Sequence, residues 1–572
     1  MRHIISSIAF ALLFVAFGQT AFAQAKFASK VQKAILSVNT YDKNGNQLNT
    51  GTGFYIGANG EAMADYRIFK GAHKANVIDA SGKQLEVDCI LGADDTYSLV
   101  RFRVNTKGNA MLTPVTSVQS KGSNLYAVGY AKSAAPSDFS AIGDTAMIEG
   151  KYVYYALGKT LDSKLLGAPV FNEAGNLVGI LHAPIAGKSF VMDIRYREKL
   201  KMEAIGSRSA SVALGNIFIP KGLPDSAEEA LVYIYFKSNS ASNTEYLDML
   251  NRFIAAHPEN AEGYNRRSVA YVDLTRFDEA DADLKKYLSL VADKAIGNSV
   301  VATNIYNKLH LQPTPAYDKW SYDLALEHVN KAIDLNQQSS TGAEEKKIND
   351  IKYKVLKAQI LSDKGNYDEA IALYEEMNQG ESKTPSFLYA ISMAREGRGD
   401  SIAACIEPLD SAIVEFGEPL PREASTFIMR RGQLYANSGK YREAVADYNQ
   451  YCYLMNNQVN DRFYYERSQI EVNARMYQQA IEDINKAIDL APRAPLYYIE
   501  KAAITIRVNM LDECIAACQK AISLNPSIID SYRILGYAQL QKGDKANARI
   551  NLQKAIDMGD ENAKKIMETY IK

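Results

Sequence analysis

The chain has little cysteine and almost no tryptophan: five cysteines and one tryptophan in 572 residues. Cys89, Cys405, Cys452, Cys514 and Cys518 are an odd set scattered over a long sequence, which excludes a disulfide framework. Cys514 and Cys518 lie one helical turn apart, but no histidine or third cysteine accompanies them. They read as packing residues, and no metal or cofactor is expected. An excess of charge of one sign is also missing. The 65 basic and 66 acidic residues leave a net charge of −1. It is spread evenly, with no basic block to hold nucleic acid and no acidic tail. Past Phe17 no run approaches the roughly 20 apolar residues that a membrane helix needs.

What is present begins at the N-terminus. Arg2 precedes an apolar stretch from Ile4 to Phe17, and Ala21-Phe22-Ala23 follows. A basic start, a short apolar centre and a small-x-small close have the form of a secretory signal peptide. Residues 1–23 are therefore expected to be removed, leaving a secreted chain that starts near Gln24. The expected location is the bacterial periplasm, with no transmembrane segment in the mature chain.

Residues 26–206 read as β structure. Runs such as "KAILSVNTY", "TGTGFYIG", "YSLVRFRV", "YVYYAL" and "LVGILH" are separated by the turn signals "KNGN", "ANGE", "SGK" and "EAGN". About ten short strands at this spacing predict a sandwich or a pair of barrels. Residues 207–225 read as a linker, and from 226 the period changes to that of helices. Tyr464, Tyr498 and Tyr532 stand 34 residues apart, as do Ala480, Cys514 and Ala548, and Ala487, Ala521 and Ala555. Small residues at fixed places let paired helices approach closely, and an aromatic fills the gap beside them. A helix-turn-helix of 34 residues with this pattern resembles the tetratricopeptide repeat. Earlier stretches fit the same register, giving roughly eight units over 226–572. Such units bury their apolar faces only by stacking, so an α-solenoid with a concave face is expected. Met429, Gln433, Tyr465, Gln469, Ile499, Arg533 and Tyr537 occupy the first-helix positions that would line it. Protein or peptide partners suit that composition.

The β region carries a second resemblance. "TGTGFYIGANGEAMADYRIFKGA", "GADDTYSLVRFRV", "NLYAVGYA" and "LLGAPVFNEAGNLVGI" follow one another in the order of motifs of trypsin-like serine proteases of the Deg/HtrA type. The resemblance implies a double β-barrel and a catalytic triad of His, Asp and Ser. Carried over position by position, His becomes Arg67, Asp becomes Ser98 and Ser becomes Leu166. An arginine stays protonated and cannot take a proton, and a leucine has no nucleophile. Lys164 stands two residues before Leu166, where the family's oxyanion loop has glycine. The triad is thus expected to be degenerate and the domain non-catalytic, a binding module joined to a repeat scaffold, with envelope complex assembly as a natural setting. The alternative is a divergent endopeptidase using relocated residues, with Ser163, Lys164, His73 and His182 as the candidates.

Overall fold

In a computed structural model the described residues are 27–132, 135–203, 208–380 and 383–571. The expected signal peptide, residues 1–23, lies outside them. Alternating burial shapes the first part. In β1 (Ile35–Tyr41), for example, Leu36, Val38 and Thr40 point inward and are fully buried. β2 (Gln47–Tyr55), β3 (Glu61–Asp65), β4 (Lys74–Ile78), β5 (Gln84–Asp94) and β6 (Leu99–Val104) close with it into a barrel in the order β1-β2-β3-β6-β5-β4. A second closed barrel has the order β10-β11-β12-β9-β8-β7. Its strands are β7 (Asn124–Val128), β8 (Ser137–Ile148), β9 (Tyr152–Leu157), β10 (Pro169–Phe171), β11 (Leu177–Ile185) and β12 (Lys188–Asp193). The two barrels share one strand order, and closure leaves no long edge open to solvent. Phe54, Phe69 and Phe102 in the first, with Tyr152, Tyr155 and Phe171 in the second, are among the largest fully buried side chains.

Two features depart from the expectations. β8 is a strand of 12 residues in a stretch where no strand was expected. The segment expected as a linker is built into the fold of the barrels. It contains a helix, Arg208–Gly215, and Ala213, Ile217 and Ile219 join the apolar core. The Ile90 N–H donates to Pro220 O at 2.9 Å, and the Gly222 N–H donates to Ile90 O at 2.8 Å. An isolated parallel bridge between Ile90 and Lys221 joins the segment to β5, and the Phe218 N–H donates to Ala72 O at 2.8 Å.

The remainder is helical. The chain divides into two compact units between Leu290 and Val291. The first unit ends with the helical pairs Ala227–Ser238 with Asn243–Ala256, and Ala261–Asp273 with Phe277–Leu290. The second runs from Lys294 through seven further pairs to Asp557, closed by Glu561–Tyr570. The repeat registers fall in the helix interfaces. Ala480, Cys514, Ala548, Ala487, Ala521 and Ala555 are each 0% exposed. Cys518 is buried beside Cys514 in the same core layer. The Tyr264 and Tyr498 hydroxyls each donate to a proline carbonyl six residues back, Pro258 and Pro492, at 3.1 Å. The insertion after the helix Lys294–Leu311 is held by Lys308. Its ammonium, 1% exposed as a residue, donates to the carbonyls of Gln312 (2.6 Å), Pro313 (3.3 Å) and Pro315 (2.6 Å).

Candidate functional site: a buried carboxylate where a triad would stand

Two of the three positions that would carry a triad, Arg67 and Ser98, bind a fourth residue, Asp65. β3 ends there, and the register pairing Asp65 with Leu99 of β6 brings Ser98 alongside. Ser98 has a φ of 49°, uncommon for a residue with a side chain. That turn lets it bind twice: its Oγ donates to Asp65 Oδ1 at 2.8 Å, and its carbonyl accepts from the Tyr66 N–H at 3.1 Å. Arg67 follows in the short helix Tyr66–Phe69, which Asp65 caps through the Arg67 N–H at 2.9 Å. The Arg67 guanidinium then folds back, Nε donating to Asp65 Oδ1 at 2.9 Å and Nη2 to Oδ2. Such fork-on-fork pairing is strong and directional. Burial pushes the Asp65 carboxyl up. Hydrogen bonds from Arg67 and Ser98 outweigh it and hold the group below the usual carboxylate range.

The second barrel supplies the loop against this cluster. Gly167, at φ 77°, turns the chain after Leu166, and a methyl placed on it would lie 3.5 Å from the Asp65 Cβ. The backbone donors of the loop are already engaged. The N–H of Lys164 donates to Asp162 Oδ1 (3.0 Å), that of Leu165 to Asp162 O (2.9 Å) and that of Leu166 to Ser163 O (3.2 Å). The N–H of Gly167 donates to Leu181 O (2.8 Å), and that of Ala168 to Leu165 O (2.9 Å). Stabilising a tetrahedral oxyanion requires N–H groups aimed outward at the developing charge. The turn at Ser163–Leu165 points these donors into the chain itself.

His182 of β11 belongs to the same surroundings. It is 6% exposed, its Nδ1 lies 2.6 Å from the Tyr154 hydroxyl, and its buried Nε2 has no partner among the described residues. Burial drives the imidazole down to about 4, with Asp65 opposing and Arg67 assisting. It is therefore neutral at ordinary pH. Among the described residues no hydrogen bond joins the other relocated candidates to Asp65 or His182. His73 stacks on Phe218 at 4.4 Å. Ser163 and Lys164 are exposed, and among the described residues no hydrogen bond joins Ser163 to a histidine.

The expected groove residues of the repeats are all half-buried. Tyr465 and Gln469 come together, Gln469 Nε2 donating to the Tyr465 hydroxyl at 2.8 Å, and the Tyr465 ring meets Tyr497 at 5.2 Å. Met429 packs against an apolar cluster, and Gln433 accepts from Arg430 at 3.4 Å. Arg533 is tied down, its Nε donating to Asp560 at 2.8 Å and Nη2 to Asp530. Ile499 comes from the first helix Pro495–Arg507, and Tyr537 shares Ile529–Gln541 with Arg533.

A repeated device escaped the sequence reading. Arg267, Arg431 and Arg467 each form a two-pronged pair with an aspartate 16 residues on, Asp283, Asp447 and Asp483. The third nitrogen of each reaches the preceding pair's second helix, at Asn251, Asp410 and Asn449. The signal was an Arg and an Asp at constant spacing, visible once the helix pairs are aligned.

Comparison with known proteins agrees with both halves of the architecture. Residues 51–180 match the trypsin-like peptidase domain. Residues 261–293, 351–377, 426–457 and 461–493 match the tetratricopeptide repeat. Over 150 residues, 26% of the chain, it is 27% identical to anti-sigma-I factor RsgI9 of Acetivibrio thermocellus, and the match spans 21% of that protein. Two six-stranded barrels followed by stacked helical pairs thus carry, in one polypeptide, a trypsin-like peptidase domain and tetratricopeptide repeats.

Proposed function

We propose that the protein is a non-catalytic scaffold in which a degenerate peptidase domain and a repeat array each bind a protein partner. Tetratricopeptide repeats indicate protein partners. One observation carries the rest of the reading. Arg67 and Ser98 are both bound to the Asp65 carboxylate, and Leu166 brings no nucleophile to them. The loop N–H groups already engaged from Lys164 to Ala168 support the same reading. A relative designated an anti-sigma factor fits regulatory binding. Secretion through a signal peptide, residence in the periplasm and a part in an envelope complex belong to the same proposal. They are supported by the form of residues 1–23.

The test is chemical. Purified full-length protein is treated with a fluorophosphonate probe and assayed against casein, with an active trypsin-like protease as control. No labelling and no turnover are expected. Labelling of the β domain that disappears in Ser163→Ala would establish the relocated-nucleophile alternative instead.

A further inference from the structure

A cleft of about 530 Å³ lies in the first unit, and its lining includes neither the Asp65 cluster nor the repeat positions already described. One wall is the stretch from Phe218 to Lys221 that leaves the first barrel. The other is the helical pair Ala227–Ser238 and Asn243–Ala256. The size suits a small ligand or a few residues of peptide. Phe218, Ile219, Tyr233 and Met249 make its apolar side. Phe218 keeps 57% of its surface exposed although one ring face stacks on His73.

Two lysines and two carboxylates line the cleft, equal in number but differently engaged. Its two acids are committed elsewhere. Glu245 accepts from the Ser242 N–H and hydroxyl at 2.9 and 2.8 Å in a capping box. Asp248 accepts from Arg252 Nε at 2.7 Å, and the same guanidinium reaches Asp88 at 2.8 Å. Its two lysines have no carboxylate within ion-pair distance among the described residues. Lys237 stands over the Tyr233 ring at 5.8 Å. Lys221 donates to the carbonyls of Ile217 and Ile219 at 2.6 and 2.7 Å. An ammonium has three N–H donors, so one remains for a ligand. Burial, with Lys237 adding to it, lowers the Lys221 amine to about 8, and an anion beside it would reverse that cost.

We infer that this cleft binds the C-terminal end of a partner polypeptide, with its carboxylate between Lys221 and Lys237 and an apolar last side chain against Phe218 and Met249. Ser240 and Thr244 also line the cleft; the Ser240 hydroxyl donates to Lys237 O at 3.3 Å and can still accept, so the pair suits peptide amides and offers nothing to a plain hydrocarbon tail. The inference is independent of whether the barrels are catalytic.

The experiment uses the full chain and three probes: acetyl-Ala-Leu-Phe as the free acid, the same peptide as its C-terminal amide, and decanoate. Calorimetric titration is expected to show the acid binding about tenfold or more tightly than the amide, the worth of one or two charge-assisted hydrogen bonds. Lys221→Met and Lys237→Met should each remove that preference. Lys221 also ties down its own segment, whereas Lys237 is exposed, so Lys237→Met tests the site in a chain whose fold is undisturbed. Equal binding of acid and amide, absence of binding by the acid, or an acid preference that survives Lys237→Met would overturn the inference. So would decanoate binding more tightly than the acid peptide, which would assign the site to a fatty acid.

Discussion

Two buried carboxylates show how a single side chain's surroundings decide its charge. Asp65 has both oxygens engaged, by Arg67 and by Ser98, and is held below the usual range. Glu471 is as deeply buried, at 3% exposure, and also lies beside an arginine. That arginine, Arg467, is already taken by Asp483 and stands 4.0 Å from Glu471 Oε1, while Oε2 has no partner among the described residues. Burial, with the Asp483 charge adding to it, raises Glu471 from 4.5 to about 8. The folded chain therefore holds this proton more tightly than the unfolded chain does. Its contribution is fully present below about pH 4.5 and is lost as pH rises through about 8. Glu471→Gln is expected to remove this slope. By urea denaturation the variant should be more stable than the parent at pH 9, by on the order of 3 kcal/mol, and nearly equal to it at pH 4. An unchanged difference between the two pH values would contradict the assignment. None of this was legible beforehand: Glu471 looks like any helical glutamate until the Arg467–Asp483 pair is seen to occupy the available cation.

At the scale of elements, a proline shows how one helix repairs another. Pro408 lies inside the helix Ile402–Glu415, where it has no N–H to donate to the Ala404 carbonyl one turn back. Arg395, on the facing helix Pro385–Arg398, supplies that donor from Nη1 at 2.9 Å, and Ser392 donates to the neighbouring Cys405 carbonyl at 2.6 Å. Arg395→Leu should then cost about 1–2 kcal/mol. In a Pro408→Ala background the cost should shrink, because an alanine at that position restores the donor within its own helix. A double-mutant cycle on thermal unfolding measures the coupling, and additive effects would refute it. The helices themselves were legible because small residues and aromatics recur at a spacing fixed by geometry. Short strands were legible where β-branched and aromatic residues cluster. β8 was not, because its sequence "SDFSAIGDTAMI" buries only Ser140 and Ile142, and a strand facing solvent on most of its length shows little alternation. The motifs that suggested a triad keep their order along the chain, and two of the positions they point to, Arg67 and Ser98, both bind Asp65. Asp65 itself falls outside the three motif positions, so its role emerged only from the folded register.

At the scale of the molecule, the boundary between β and helical regions is not where composition changes. "SRSASVALGNIFIPKGLPD" has the small and polar residues of a linker, yet it completes the barrel core. Ala213 is fully buried, and Ile217 and Ile219 are each 1% exposed. Beyond the core, Arg252 of the second helix joins Asp88 of β5 at 2.8 Å. A full isoleucine burial contributes roughly 1.5–3 kcal/mol, while an ion pair of this exposure contributes less. The apolar docking should therefore dominate. Two fragments separate the cases: residues 27–203, which end before the segment, and residues 27–225, which include it. The longer fragment should be more stable in urea by about 3 kcal/mol or more, from the two isoleucines alone. Replacing both isoleucines with serine in the longer fragment should erase the difference, since burying a hydroxyl without a partner opposes docking. Equal midpoints for the two unsubstituted fragments would mean that the segment rests on the barrel without supporting it, and the sequence-based boundary at 206 would then describe the folding unit after all.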